Sequence, residues 1–289
     1  IVSHDVSSEQ RANNAQCSDV VVKLTRFKSV QKRDKFLKQV VYADSYPPPA
    51  NDYLQAQKLK RLWSKYCLDG GNPTYLVIDA RAYGKGVVEE LMKPSNDGMR
   101  PLCCYRHKEY ADLEQEGAIP IIYPIKAGRK GVADEDAEMV RYAQVEFEQS
   151  NIQLLTAATL DGVEQYKRKH GIKDASSDAR IAYPYRKTDE LRNQIKNLQL
   201  VASGASLKET RKSKIIQRDI WSALKYALRM TCILEQELLR VEYKKKSSWS
   251  DTIAEFQRGG KTSLSVVGTQ QTSPLGNRAE LLANRRVHR

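Results

Sequence analysis

The chain has 289 residues, 40% hydrophobic and 29% charged, and its formal charge of +13 favours a polyanionic partner. That length buries a substantial core in one large domain, or in one domain plus appendages. No apolar stretch approaches membrane-spanning length and nothing reads as a signal peptide, while five scattered cysteines without a C-x-x-C pair (Cys17, Cys67, Cys103, Cys104, Cys232) suit a reduced, cytosolic protein better than a zinc site.

The chain begins at Ile1 to Asp5 as though a strand were already running, and that strand ends on an aspartate. A polar loop over Ser7 to Ser18 leads to a β-rich run from Asp19 to Thr25. A third strand is expected over Lys38 to Tyr46, closed by Pro47, Pro48 and Pro49. Short polar connections between the three imply an antiparallel meander. Asp52 to Leu68 carries Leu54, Leu59, Leu62, Trp63 and Tyr66 at helical spacing.

The next stretch organises the rest. Tyr75 to Ile78 is a short apolar run that ends abruptly on Asp79, followed by a turn with Gly84 and Gly86 and a helix from Val87 to Met92. A carboxylate at the exit of a buried strand is where α/β folds place chemistry. A strand pair is expected at Pro101 to Arg106 and Ile119 to Tyr123. Beyond it lies a loop-rich insertion over about 120–210. It holds a helix from Asp134 to Gln149, a short strand at Ile152 to Leu155, a helix from about Leu160, a polar connection from Lys167 to Pro184, and a helix from Lys187 to Leu200.

From Lys214 to Tyr243 apolar residues recur at the helical period, with Asp219 near the start. The residues from 244 onward read as a basic, loosely structured tail following a helix that ends in Lys244, Lys245 and Lys246. From Arg240 on there are ten Lys or Arg against four Asp or Glu, a surplus of six.

Asp5 and Asp79 on strand ends, with Asp219 near a helix start, match a ribonuclease-H-like layout. That fold is an α/β mixed sheet, three antiparallel strands then parallel strands, flanked by helices. Its first and fourth strands are neighbours, and a late helix leans an acid over their tips. The segments IVSHDVSS, YLVIDARAYGKGVVEELM and RDIWSALKYALR, in that order, resemble the nuclease domain of the large terminase subunit of tailed bacteriophages, over Ile1 to about Arg240. The resemblance implies that Asp5, Asp79 and Asp219 hold two Mg²⁺ or Mn²⁺ ions and cut concatemeric double-stranded DNA during genome packaging, with little sequence specificity. Glu9, Asp19 and Glu89 are further acids at these motifs. The implied setting is the host cytoplasm, with an ATPase motor domain, a portal and a small terminase subunit as partners and no membrane.

Phosphodiester cleavage builds negative charge on the entering and leaving oxygens, which a pair of divalent cations stabilises. Hard cations select carboxylate oxygens. Without them, two carboxylates about 4 Å apart repel by roughly 4 kcal/mol at an effective dielectric near 20, so the metal-free site is expected to be strained.

Other chemistries find less support. There is no G-x-x-x-x-G-K-[ST], and Gly259-Gly260-Lys261-Thr262 lacks the leading glycine and preceding strand, so no nucleotide is expected at a P-loop. Gly84 and Gly86 give G-x-G with Glu89 where a dinucleotide fingerprint needs glycine. The missing motor and start suggest an excised C-terminal nuclease domain. No serine or cysteine nucleophile pairs with His4, His107, His170 or His288; His4 should face away from Asp5, since strand neighbours alternate. DNA contacts are expected from Lys126, Arg129 and Lys130 in a glycine loop, from Lys167, Arg168 and Lys169, and from the tail. Two other readings stand beside this one: a different ribonuclease-H-like nuclease of resolvase or integrase type, and a non-catalytic basic module that binds DNA or a portal.

Overall fold

In the computed structural model the two apolar runs that end on aspartate lie side by side. β1 (Val2–Asp5) pairs parallel with β4 (Leu76–Asp79) in the register Val2 to Leu76, Ser3 to Val77 and His4 to Ile78. The structure describes residues 1–7, 16–28, 34–67, 73–81, 83–94, 100–126, 135–155, 160–174, 177–203 and 206–257. Residues Ile1–Leu239 form one compact unit and Arg240–Arg289 a second.

The first unit is built on a seven-stranded mixed sheet. β2 (Cys17–Lys28) and β3 (Asp34–Tyr46) continue from β1 as the expected antiparallel meander, and β7 (Ile152–Gln153) adds a parallel edge. On the other side of β4 come β6 (Ile119–Ile125) and β5 (Leu102–Cys104), all parallel. The strand order is β5-β6-β4-β1-β2-β3-β7.

Strand alternation sorts the side chains onto two helical layers. Val21 joins the apolar cluster of α1 (Asp52–Tyr66) and α2 (Gly84–Met92), with Leu59, Val88 and Leu91. Val20 and Val22 join the opposite cluster, with Leu191 of α5 (Ser177–Lys196) and Trp221, Leu224 and Leu228 of α6 (Asp219–Gln257). α3 (Glu135–Glu148) supplies Ala143 to that second cluster. Leu76, Val77 and Ile78 of β4 are fully buried, as befits a central strand covered on both faces. β1 obeys the same alternation: Ser3 Oγ donates to the carbonyl of Ala223 in α6 at 2.6 Å, whereas His4 turns toward Gln55 of α1.

Several expected boundaries move. The glycine pair does not form a turn ahead of a helix; Gly84 is the first residue of α2 itself. Lys167 to Pro184 is mostly helical, because α4 (Leu160–His170) runs on to His170 and α5 begins at Ser177 with Pro184 inside it. The expected helix end at Leu200 is instead a strand, β8 (Leu198–Ser203), paired antiparallel with β9 (Ser206–Arg211). The last long helix begins at Asp219 rather than Lys214, and it continues past Lys246 to Gln257. Among the described residues no helix is long and apolar enough to cross a membrane.

Candidate active site

The register of β1 and β4 sets Asp5 and Asp79 one step beyond the last paired residues, His4 and Ile78, at the carboxyl ends of adjacent central strands. α6 opens on Asp219, and Tyr226, seven residues and two turns later, lies on the same face of the helix. Tyr226 is buried, and its hydroxyl donates to Asp79 Oδ2 at 3.2 Å. The helix therefore reaches β4 through Tyr226 as well as offering Asp219.

α2 comes down onto the same place. A Cβ built on Gly84 would stand 1.6 Å from the Asp79 carbonyl oxygen, so only glycine lets the helix start this close to the strand end. Arg81, between strand and helix, folds back on the carboxylate. Its backbone N–H and Nε donate to Asp79 Oδ1 at 3.1 and 2.7 Å, and Nη2 donates to Oδ2 at 2.6 Å. Nη2 also donates to the Tyr226 hydroxyl.

The electrostatics are those of a crowded acidic site. Burial, then repulsion from Asp79 and from Asp219, pushes the Asp5 carboxyl up to about 8, against the opposing pull of His4 and Arg81. Asp5 thus feels both other acids. Burial also raises Asp219; the Gln16 backbone N–H, Arg211 and Arg218 work against this, and Glu190 adds to it. Asp219 Oδ2 is buried without a hydrogen-bond partner among the described residues. So is Ser18 Oγ, and Ser18 stands directly opposite Asp5 in the β1–β2 register. Two orphaned oxygens beside an acid held near its neutral form mark a place that lacks a partner.

The donor set is all oxygen and suits a hard divalent cation. Among the described residues, however, no three His, Cys, Asp or Glu side chains stand together closely enough to hold one ion. The Arg81 guanidinium already occupies Asp79, and it neutralises charge there as a metal would.

The remaining sequence candidates separate clearly. His4 is fully buried on the opposite face, with Nδ1 2.7 Å from Asp19 Oδ1 and Nε2 3.3 Å from Gln55 Oε1. Burial alone would lower its pKa, but the hydrogen bonds and charges of Asp19 and Cys17 raise it to about 10. His4 and Asp19 are therefore an internal ion pair away from the three acids. Glu89 lies on α2 beside Lys85 at 3.6 Å, and Glu9 falls outside the described residues.

Of the basic candidates, Lys126 is ion-paired with Glu109 and sits 5.2 Å from the Tyr110 ring centroid. Lys167 is buried and paired with Asp178 at 2.8 Å, which leaves it poorly placed to meet a phosphate. Arg168 and Lys169 are exposed in the last turn of α4. Arg129, Lys130 and the tail beyond Gln257 lie outside the described residues.

Sequence reasoning missed Arg81 and Tyr226. The tyrosine had a signal, since it shares a helix face with Asp219; the arginine had none beyond its place two residues after a strand-ending acid. Comparison with protein-family models, curated proteins and solved structures finds no match to this chain.

Proposed function

We propose that this chain is a divalent-metal-dependent endonuclease of ribonuclease-H-like fold that cuts double-stranded DNA, acting on concatemeric viral DNA during genome packaging. The observation that supports the reading is the arrangement of Asp5 and Asp79 on the ends of adjacent parallel strands, beside the helix that opens on Asp219. Asp5 is raised first by burial and then by the charge of Asp79 and Asp219. The strand order, in which the first three strands form a meander and the fourth lies beside the first, supports the finer fold assignment.

Asp5, Asp79 and Asp219 would hold Mg²⁺ or Mn²⁺, which when bound stabilises charge on the entering and leaving oxygens and lowers the pKa of attacking water. The chain's own groups have definable tasks. The Tyr226 hydroxyl orients Asp79 by donating to Oδ2. Gly84 lets α2 pack against the β4 end and fixes the height of Asp79. Ser18 offers a buried hydroxyl level with Asp5. Arg81 balances the acids while no cation is present, and it is 45% exposed, so it has room to swing toward a phosphate.

The packaging role, with a motor domain, portal and small terminase subunit as partners and the host cytoplasm as setting, rests on the three motifs that resemble terminase nucleases. The experiment is plasmid nicking in Mn²⁺, with Asp5→Ala and Asp219→Ala beside the wild type. Loss of nicking in both variants, with circular dichroism unchanged, is the expected result. An inactive wild type that still binds DNA would favour a non-catalytic basic module. Preference for branched over linear duplex would favour a resolvase.

A further inference from the structure

The residues just before α6 form a loop that the proposed chemistry leaves unused. From Arg211 to Arg218 the chain reads RKSKIIQR, four cations around two isoleucines. Ile215 is 89% exposed and Ile216 36%. A lone exposed isoleucine needs no explanation, but these two are displayed on a backbone fastened from behind.

Arg211 Nη1 donates to the carbonyls of Lys214 and Ile216 at 3.4 and 3.3 Å. Asn197 grips Ser213 from both sides, with Nδ2 donating to the Ser213 carbonyl at 2.9 Å and Oδ1 accepting from its N–H at 2.8 Å. The Lys212 N–H donates to the Asn197 carbonyl at 2.8 Å, and its Nζ to the Lys196 carbonyl at 3.0 Å. Arg211, the Lys212 amine and the Ser213 backbone thus turn inward to the loop's support while both isoleucines face solvent. An open cavity of about 550 Å³ is bordered by the loop and the end of α5, with Asn193, Lys196 and both isoleucines in its lining. The loop runs directly into Asp219, and Arg211 and Arg218 are near enough to act on that carboxyl.

We propose that this loop is a DNA-distorting wedge: Ile215 enters a base step through the minor groove beside the scissile phosphate, while Lys214 holds the flanking backbone. The inference rests on the nuclease reading and extends it to how the duplex is deformed at the cut. Branched apolar side chains inserted between base steps unstack them and kink the duplex, and the cost is offset by added protein contact. Charge decides the occupant. Glu209 is engaged with Arg218, Trp221 and Lys225, and Glu190 with Lys187, which leaves the exposed Lys214 beside Ile215 to meet a polyanion.

The test uses the full chain carrying Asp79→Asn, in EDTA, with duplex DNA containing 2-aminopurine. Binding is read by anisotropy and unstacking by the rise in 2-aminopurine fluorescence. Adding Ile215→Ala should weaken binding about tenfold, from the lost apolar burial. It should also abolish the fluorescence rise while leaving the salt dependence unchanged. Lys214→Ala should instead reduce the salt slope by about one counterion and keep the rise. Binding without a rise in the parent protein would overturn the wedge, as would an Ile215→Ala protein that behaves like its parent. Absence of duplex binding would also overturn it and turn attention to a protein partner. Cleavage by the protein with Asp79 restored is scored separately in Mn²⁺: a fluorescence rise without cutting would sink the nuclease reading and keep the wedge.

Discussion

Arg81 grips both carboxylate oxygens of Asp79, its Nε 2.7 Å from Oδ1 and its Nη2 2.6 Å from Oδ2, so the acid that ends β4 is closed by a cation two residues along the same chain. A two-pronged guanidinium contact of this kind is among the stronger side-chain interactions. Its 45% exposure limits its net worth to about 1 kcal/mol. A divalent cation must displace it. Arg81→Ala is therefore expected to tighten Mn²⁺ binding by about fivefold to tenfold in calorimetric titration and to lower the melting temperature of the metal-free protein. Equal Mn²⁺ affinity in the two proteins would show that Arg81 does not compete with metal.

Gly84 and Gly86 offer a paired test of backbone approach. A Cβ at Gly84 meets the carbonyl oxygen of Asp79 at 1.6 Å, whereas one at Gly86 meets the Asp52 side-chain oxygen Oδ2 at 2.0 Å. Backbone cannot step aside cheaply, but a carboxylate can turn. Gly84→Ala should cost about 2–3 kcal/mol, or roughly 5–10 °C in melting temperature, and impair nicking by displacing Asp79. Gly86→Ala should stay within about 1 kcal/mol of wild type. Thermal melts of the two variants, run together, decide it; equal losses would contradict the close approach of α2 to β4.

The His4–Asp19 pair predicts a pH dependence. The folded-state pKa of His4, about 10, lies above its ordinary 6.5. The stability it contributes is therefore fully present below about pH 6.5 and is lost as the pH rises through 10. Asp5, raised to about 8, adds a fall of its own at lower pH. Between pH 8 and 10 the fall from Asp5 is over, whereas Cys103 and Cys104, raised by burial, begin to contribute equally in wild type and variant. Urea midpoints should drop more steeply across that interval in the wild type than in His4→Leu. The variant should be destabilised by about 3 kcal/mol at pH 7, because buried Asp19 loses its hydrogen-bonded partner and keeps only the longer contact to Lys58 at 3.7 Å. Parallel slopes in the two proteins would contradict a charged His4.

How much of this was written in the sequence depends on the element. The β1–β4 pair was legible because each strand is a short apolar run cut off by an aspartate, and β2 and β3 because β-branched residues recur between turn signals. The three acids were singled out by position alone. β8 and β9 were missed because the β9 residues SLKETR carry no apolar alternation, and this hairpin is held by its backbone ladder. Pro184 misled the reading of α5. It removes one N–H from the helix, yet the turn survives and Thr188 Oγ1 donates to the Pro184 carbonyl at 2.8 Å. The start of α6 shifted to Asp219 because Arg211 and Asn197 hold the preceding residues in a bend, a tertiary effect that helical periodicity cannot register. Arg81 was invisible for the same reason: its role appears only once β4 and α6 face each other.

The most direct test is anomalous diffraction from crystals of the protein soaked in Mn²⁺. Manganese density should touch the carboxylates of Asp5 and Asp79 within reach of Asp219, with Arg81 swung off Asp79. Crystals that take up manganese elsewhere while Arg81 stays on Asp79 would contradict it.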